Sequence, residues 1–264
     1  MSISTVPTFA LEERLAADGY DVIVGFDEVG RGALAGPVMV GAAAFRVEHL
    51  AHAQQTIPHY LADSKMLTER RREALYEPLK AWVDAYAIGA ATNEEIDTWG
   101  IAHALGVAAL RALDAVEREL GVGASEDAKC SVRADYSSEA EQTGDIRTRD
   151  MQHAEDANVR VGAMLDGPHD YITKTLGTFE APPVPVPAHV VTQVKGDQQC
   201  CSVAAAAVLA KVTRDRLMVA LADEHPQYAR YEWANNKGYG SQAHRAAIAE
   251  YGPSDLHRVT WKLT

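Results

Sequence analysis

The chain's apolar patterning predicts an α/β domain with a helical C-terminal part. Short β-rich apolar runs alternate with longer helix-periodic stretches. Several of those runs lead, directly or through a short turn, into an acidic residue. Beyond residue 194 come a long Ala-rich stretch and a final short amphipathic one, with no further β-like run.

The elements follow in order. "YDVIVGFDEV" is short, apolar and β-rich, so it reads as a strand, and "PVMVGAAAF" (37–45) reads as a second after a Gly/Pro turn. "TERRREALYEPLKAW" (68–82) is a charged helix with Thr68 as N-cap. "VDAYAIGAAT" (83–92) is a third strand. Residues 101–120 form a helix, because Ile101, Leu105, Ala108, Ala109, Ala112, Val116 and Leu120 make one apolar stripe. "VRVGAMLDG" (159–167) is a strand ending in an acid. A Pro-rich connector (181–189) leads to a short strand (190–194). Residues 195–225 begin as a turn and become a long helix, and 241–252 is a last helix stopped by Gly252.

With 264 residues and 47% hydrophobic content the chain suffices for one large domain. No stretch has the length of a membrane span, and the first residues lack a basic start with an apolar core. A cytoplasmic protein is therefore expected. Cys130, Cys200 and Cys201 form no CxxC pair, so neither a disulfide framework nor a structural zinc site is indicated. The net charge of −12 by itself argues against nucleic acid, but its distribution matters more. Acids crowd residues 124–156, which are poor in large apolar side chains and read as a solvated or disordered insertion. In the last third, bases slightly outnumber acids, which leaves room for a local basic surface.

The chemistry lies in Asp27-Glu28, Asp166 and Asp197. Strand ends side by side in one sheet would bring these carboxylates together. Hard divalent cations take oxygen ligands, and clustered carboxylates without a cation would repel one another. A lone Asp after a strand more commonly caps a turn, but the adjacent pair is harder to explain that way. Neighbours on a strand point to opposite faces, so one acid would reach around the strand end. Gly30-x-Gly32-x-x-Ala35 loosely matches a dinucleotide fingerprint, but Pro37 and a β-rich run follow where a helix should start.

Seven ordered blocks, "DEVGRG" (27–32), "DSK" (63–65), "LDG" (165–167), "VKGD" (194–197), "AKVTRDRLM" (210–218), "NKGYG" (236–240) and "YGPSDLHR" (251–258), resemble the type 2 ribonuclease H (ribonuclease HII) family. The resemblance implies a ribonuclease H-like fold, a mixed central sheet flanked by helices with a helical C-terminal extension. It implies cleavage of RNA in RNA–DNA hybrids and nicking of duplex DNA on the 5′ side of embedded ribonucleotides, leaving 3′-hydroxyl and 5′-phosphate ends. It puts two Mg²⁺ or Mn²⁺ ions on Asp27, Glu28, Asp166 and Asp197. Substrate contacts fall on Gly30, Arg31 and Gly32, which read the ribose 2′-OH, on Tyr239, which packs on the following sugar, and on Lys65 at a phosphate. Asp215 competes for the fourth ligand position, but Lys211 four residues earlier on the helix offers it an ion pair. Lys211 and Arg214 read as a solvated helix face.

The implied domains are an N-terminal segment (1–20), a catalytic domain (21–222) interrupted by 124–156, and a substrate-binding helical extension (223–264). The expected partners are the hybrid or ribonucleotide-containing duplex, with no membrane and no obligate protein partner, the chain being a monomer. Pro168 stands where the family often has Asn, "CCSVAAAA" replaces a more serine-bearing run, and "HRVTWKL" departs from the usual ending. Type 3 ribonuclease H shares the core but adds an N-terminal domain, for which the residues before Asp27 are too few, and its glycine turn usually lacks the arginine found here at Arg31. A hybrid-binding module without catalysis, or a general nuclease on the same fold, are the rival functions.

Overall fold

The computed structural model describes residues 6–123 and 159–264, so the acidic segment 124–156 and Cys130 lie outside the described residues. Helix α1 (Ala10–Ala17) precedes strand β1 (Val22–Val29) and strand β2 (Val38–Arg46). Helices α2 (Leu50–Gln55) and α3 (Glu69–Trp82) lead to β3 (Ala85–Ala91), then α4 (Asn93–Trp99) and α5 (Ile101–Leu120). Beyond residue 158 come β4 (Val161–Asp166), α6 (Ile172–Thr175), β5 (His189–Gln193), α7 (Gly196–Gln199), α8 (Cys201–Glu224), α9 (Trp233–Asn236) and α10 (Gln242–Tyr251). The strands and long helices expected from periodicity are all present, with ends shifted by a residue or two. Thr68 caps α3 as its side chain predicts, accepting from the Arg71 N–H.

The five strands form one sheet in the order β3-β2-β1-β4-β5. The β1–β2 and β2–β3 pairs are antiparallel, while β1–β4 and β4–β5 are parallel. Alternation divides the core into two layers. Val22, Val24 and Phe26 of β1 pack with the buried stripe of α5, including Leu105, Ala109 and Val116. Ile23 of β1 and Met164 of β4 pack on the other face, against α8 and α3. Helix α8 is alanine-rich because it lies almost on the sheet: a Cβ on Gly25 would sit 2.3 Å from the backbone of Ser202.

Helix α8 also continues beyond the sheet. Its Met218 and Ala222 join Leu34, Tyr228, Tyr231 and Trp233 in a third apolar cluster that anchors the C-terminal helices. Cys200 and Cys201 are free thiols. Among the described residues no helix is long and apolar enough to cross a membrane.

Candidate active site

Strand register brings the first two carboxylates together. Phe26 of β1 pairs with Leu165 of the parallel β4, so the next residues, Asp27 near the end of β1 and Asp166 at the end of β4, stand side by side. Both follow the alternation of Ile23 and Met164 onto the α8 face, and Glu28 takes the opposite one. Asp166 is steadied by the Gly196 N–H, which donates to Oδ1 at 2.7 Å. That contact links β4 to the turn that enters α7, where Asp197 is buried. Lys65 donates to Oδ2 of Asp197 at 3.3 Å, while its own backbone N–H is held by Asp63.

One pocket is lined by Asp27, Glu28, Asp166, the Gly30–Gly32 turn, Lys65 and Tyr239. Asp197 is reached through Lys65 at its edge. Gly30 has φ +81°, and a Cβ there would lie 2.1 Å from Arg214 Nε, so only glycine fits the turn. The Gly30 N–H donates to the Tyr239 hydroxyl at 3.1 Å.

The electrostatics are those of crowded acid. Burial raises the Asp27 pKa well above the ordinary carboxylate range; Glu28, Asp166 and Asp197 raise it further, and Lys65 opposes them. Asp197 is pushed up to about 6, first by burial, with Asp166 and Asp63 adding to it and Lys65 opposing. Burial alone would lower the Lys65 pKa, but Asp197 and Asp27 outweigh it and raise it. Among the described residues no three acidic, imidazole or thiol side chains close into a ready-made cation cage. The acids instead rim a shared pocket. An all-oxygen donor set with mutually repelling charges fits a hard divalent ion, which would offset that repulsion.

Asp215 is not part of this set. Its carboxylate pairs with Lys211 at 2.8 Å, as the i,i+4 spacing predicts. Arg214 departs from expectation: it is fully buried, and its guanidinium turns inward to backbone carbonyls. Sequence reading also missed Tyr171, whose hydroxyl donates to Glu28 Oε2 at 3.2 Å, and Arg258, buried beneath the glycine turn. Both arginines stand within the quoted blocks "AKVTRDRLM" and "YGPSDLHR", which was the available signal. Arg31 completes the holding of Glu28 by approaching Oε1 at 3.3 Å.

A mixed sheet with acids at the ends of adjacent strands, helices on both faces and a helical extension defines the ribonuclease H-like class. In solved structures the fold recurs in the ribonuclease H2 of Pyrococcus horikoshii, with TM-score 0.57 and 21% identity over 92% of this chain and 94% of that one. It recurs in a Bst ribonuclease HIII in complex with Mn²⁺, with TM-score 0.53 and 18% identity over 95% of this chain and 70% of that one. The family model for Ribonuclease HII matches residues 24–164 and 173–264. A Streptomyces avermitilis ribonuclease HII is 40% identical over 97% of this chain and 83% of its own length. That of Syntrophotalea carbinolica is 35% identical over 95% and 90%. The chain belongs to the ribonuclease HII family, and is thus a ribonuclease H-type endoribonuclease.

Proposed function

We propose that the chain is a metal-dependent endonuclease that cuts RNA in RNA–DNA hybrids and nicks duplex DNA 5′ of an embedded ribonucleotide. The products are a 3′-hydroxyl and a 5′-phosphate, and the cellular role is removal of ribonucleotides from DNA. The observation that carries this reading is the single pocket shared by Asp27, Glu28, Asp166, the Gly30–Gly32 turn and Tyr239. Acids fit to hold hard cations thus stand beside a backbone turn that can meet a sugar hydroxyl.

Asp27, Glu28, Asp166 and Asp197 would hold Mg²⁺ or Mn²⁺. Two such ions supply an activated water and charge stabilisation at the leaving 3′ oxygen. The protein groups do the rest. The main chain of the Gly30–Gly32 turn, exposed at Arg31 and Gly32, meets the 2′-OH, a donor and acceptor that DNA lacks. Tyr239 packs on the sugar that follows. Lys65 and Arg31, both exposed, meet phosphates. The C-terminal segment from 223 serves as the substrate-binding extension, because its third apolar cluster holds the Tyr239 loop against Leu34 and Ala35.

The test is cleavage of matched duplexes with zero, one and four ribonucleotides, with and without divalent metal. Nicking at the ribonucleotide, only with metal, is the expected result. Binding without nicking would favour a hybrid-binding module, and equal cutting of all-DNA duplex a general nuclease.

A further inference from the structure

Two guanidiniums lie under the glycine turn. Arg214 of α8 donates from Nε to the Pro37 carbonyl at 2.9 Å, from Nη2 to Ala35 at 3.0 Å and from Nη1 to Lys237 at 2.9 Å. Arg258 donates from Nη2 to Gly30 at 2.7 Å, from Nη1 to Arg31 at 2.9 Å and from Nε to Gly36 at 3.2 Å. Both side chains are fully buried. Neither has a carboxylate partner among the described residues. Asp215, beside Arg214 in sequence, is paired with Lys211 instead.

The acceptors identify what the pair holds. All but one lie in the segment from Gly30 to Pro37, and the remaining one, Lys237, leads into Tyr239. Arg214 therefore spans the gap between the turn and the tyrosine loop, and Arg258 fixes the carbonyls of the turn itself. The Arg214 guanidinium also lies 5.3 Å from the centre of the Tyr239 ring. Removing two cations from water without a counter-charge is costly, and apolar side chains of similar volume would commonly hold a core as well or better. Arginine supplies what apolar groups cannot: a rigid fork of donors with a fixed spacing.

We propose that Arg214 and Arg258 are positioning residues that set the distance between the Gly30–Gly32 turn and Tyr239, and so govern how well the site senses a ribose. The inference rests on the functional reading above. Its structural basis is a coupling: Gly30 offers its carbonyl to Arg258 and its N–H to the Tyr239 hydroxyl. A change at Arg258 reaches the tyrosine through Gly30, and one at Arg214 reaches it through Lys237, two residues before Tyr239.

The test is a double-mutant cycle of Arg258→Lys and Tyr239→Phe, with Arg214→Lys as a second arm. Lysine keeps the charge and stem but loses the fork. Nicking of a duplex with one ribonucleotide is measured with Mn²⁺, alongside the thermal midpoint. Each lysine variant should lose ~10–100-fold in kcat with KM within ~3-fold, since misplacement by about 1 Å can cost that much. Tyr239→Phe should cost ~10-fold in the parent but under ~3-fold in either lysine background, because coupled residues are non-additive. Additive losses, near-normal nicking by both lysine variants, or variants that cannot fold would overturn the proposal, the last by making the arginines general supports of the chain. A parent protein that does not nick at all would instead remove the functional reading on which the inference stands.

Discussion

The Tyr171 hydroxyl donates to Glu28 Oε2 at 3.2 Å from a residue 143 positions further along the chain. Tyr171 is buried just ahead of α6, and Glu28 is the acid that points away from Asp27 across the strand. Together with Arg31 on the other oxygen, the phenol fixes the Glu28 carboxylate in one orientation. Groups that orient ligands typically matter ~10–100-fold for metal affinity or activity. Tyr171→Phe should therefore raise the Mn²⁺ concentration needed for half-maximal nicking by about 10-fold, with the fold intact. A metal titration of nicking checks this, and an unchanged midpoint would make Tyr171 only a packing residue.

Asp27→Asn should separate function from stability. Turnover should fall by orders of magnitude, because a ligand of the proposed ions loses its charge. Burial and three neighbouring acids raise the Asp27 pKa, so its ionised form is disfavoured in the metal-free fold. The neutral amide removes that penalty. In EDTA at pH 8 the variant should melt at a higher temperature than the parent. Calorimetry with and without metal reads both effects.

Glu12 gives a stability slope on the alkaline side. It reaches from α1 to the start of α8, accepting the Ser202 N–H and hydroxyl at 2.9 Å each, and burial pushes its pKa up to about 7. Between the ordinary carboxyl value of 4.5 and about 7 the folded chain holds a proton that the unfolded chain has lost. Stability from this group is thus complete below 4.5 and declines as pH rises through 7. Glu12→Gln should remove about 2 kcal/mol of the loss seen between pH 5 and pH 8, measured by urea denaturation.

His257 acts in the opposite sense. Ser254 donates from its backbone N–H to His257 Nδ1 at 2.9 Å, so His257 carries its proton on Nε2 and points it at His244 Nε2 at 3.0 Å, an acceptor it shares with the Trp233 indole N–H. His244 in turn donates from Nδ1 to the Tyr239 carbonyl at 2.9 Å. Both rings are neutral in this arrangement. Burial, then the proximity of His244, lowers the His257 pKa to about 4. The unfolded chain binds a proton that the folded one refuses between 6.5 and 4, so stability falls as pH drops through that window. The parent should lose about 1–2 kcal/mol from this group between pH 7 and pH 5, and His257→Gln should lose less.

The sheet and the carboxylates were legible because local pattern fixes them. Runs such as "VIVGF" and "VGAML" end where the apolar alternation ends, and an acid follows each. The i,i+4 spacing gave the Lys211–Asp215 pair. Helix α4 was readable but unread: Thr92 and Glu95 form a capping box. Helix α1 offers less, being eight residues long with no side-chain cap. Glu12, Tyr171, Arg214 and Arg258 have partners supplied by remote segments. A charged residue in a helix is ordinarily solvated, so the buried fork of Arg214 could not be seen from spacing. Only the three-dimensional approach of Gly30–Pro37 and Lys237 turns that side chain inward.

The central claim is that Asp27, Glu28, Asp166 and Asp197 grip divalent ions beside the Gly30 turn. The most direct measurement is anomalous diffraction from crystals soaked with Mn²⁺ and grown with an uncleavable ribonucleotide-containing duplex. The expected map has two peaks, roughly 3.5–4 Å apart, each within bonding distance of an Asp27 oxygen or an oxygen of another of the four acids. A map with no peak at Asp27, or with manganese bound only elsewhere on the surface, would contradict the account.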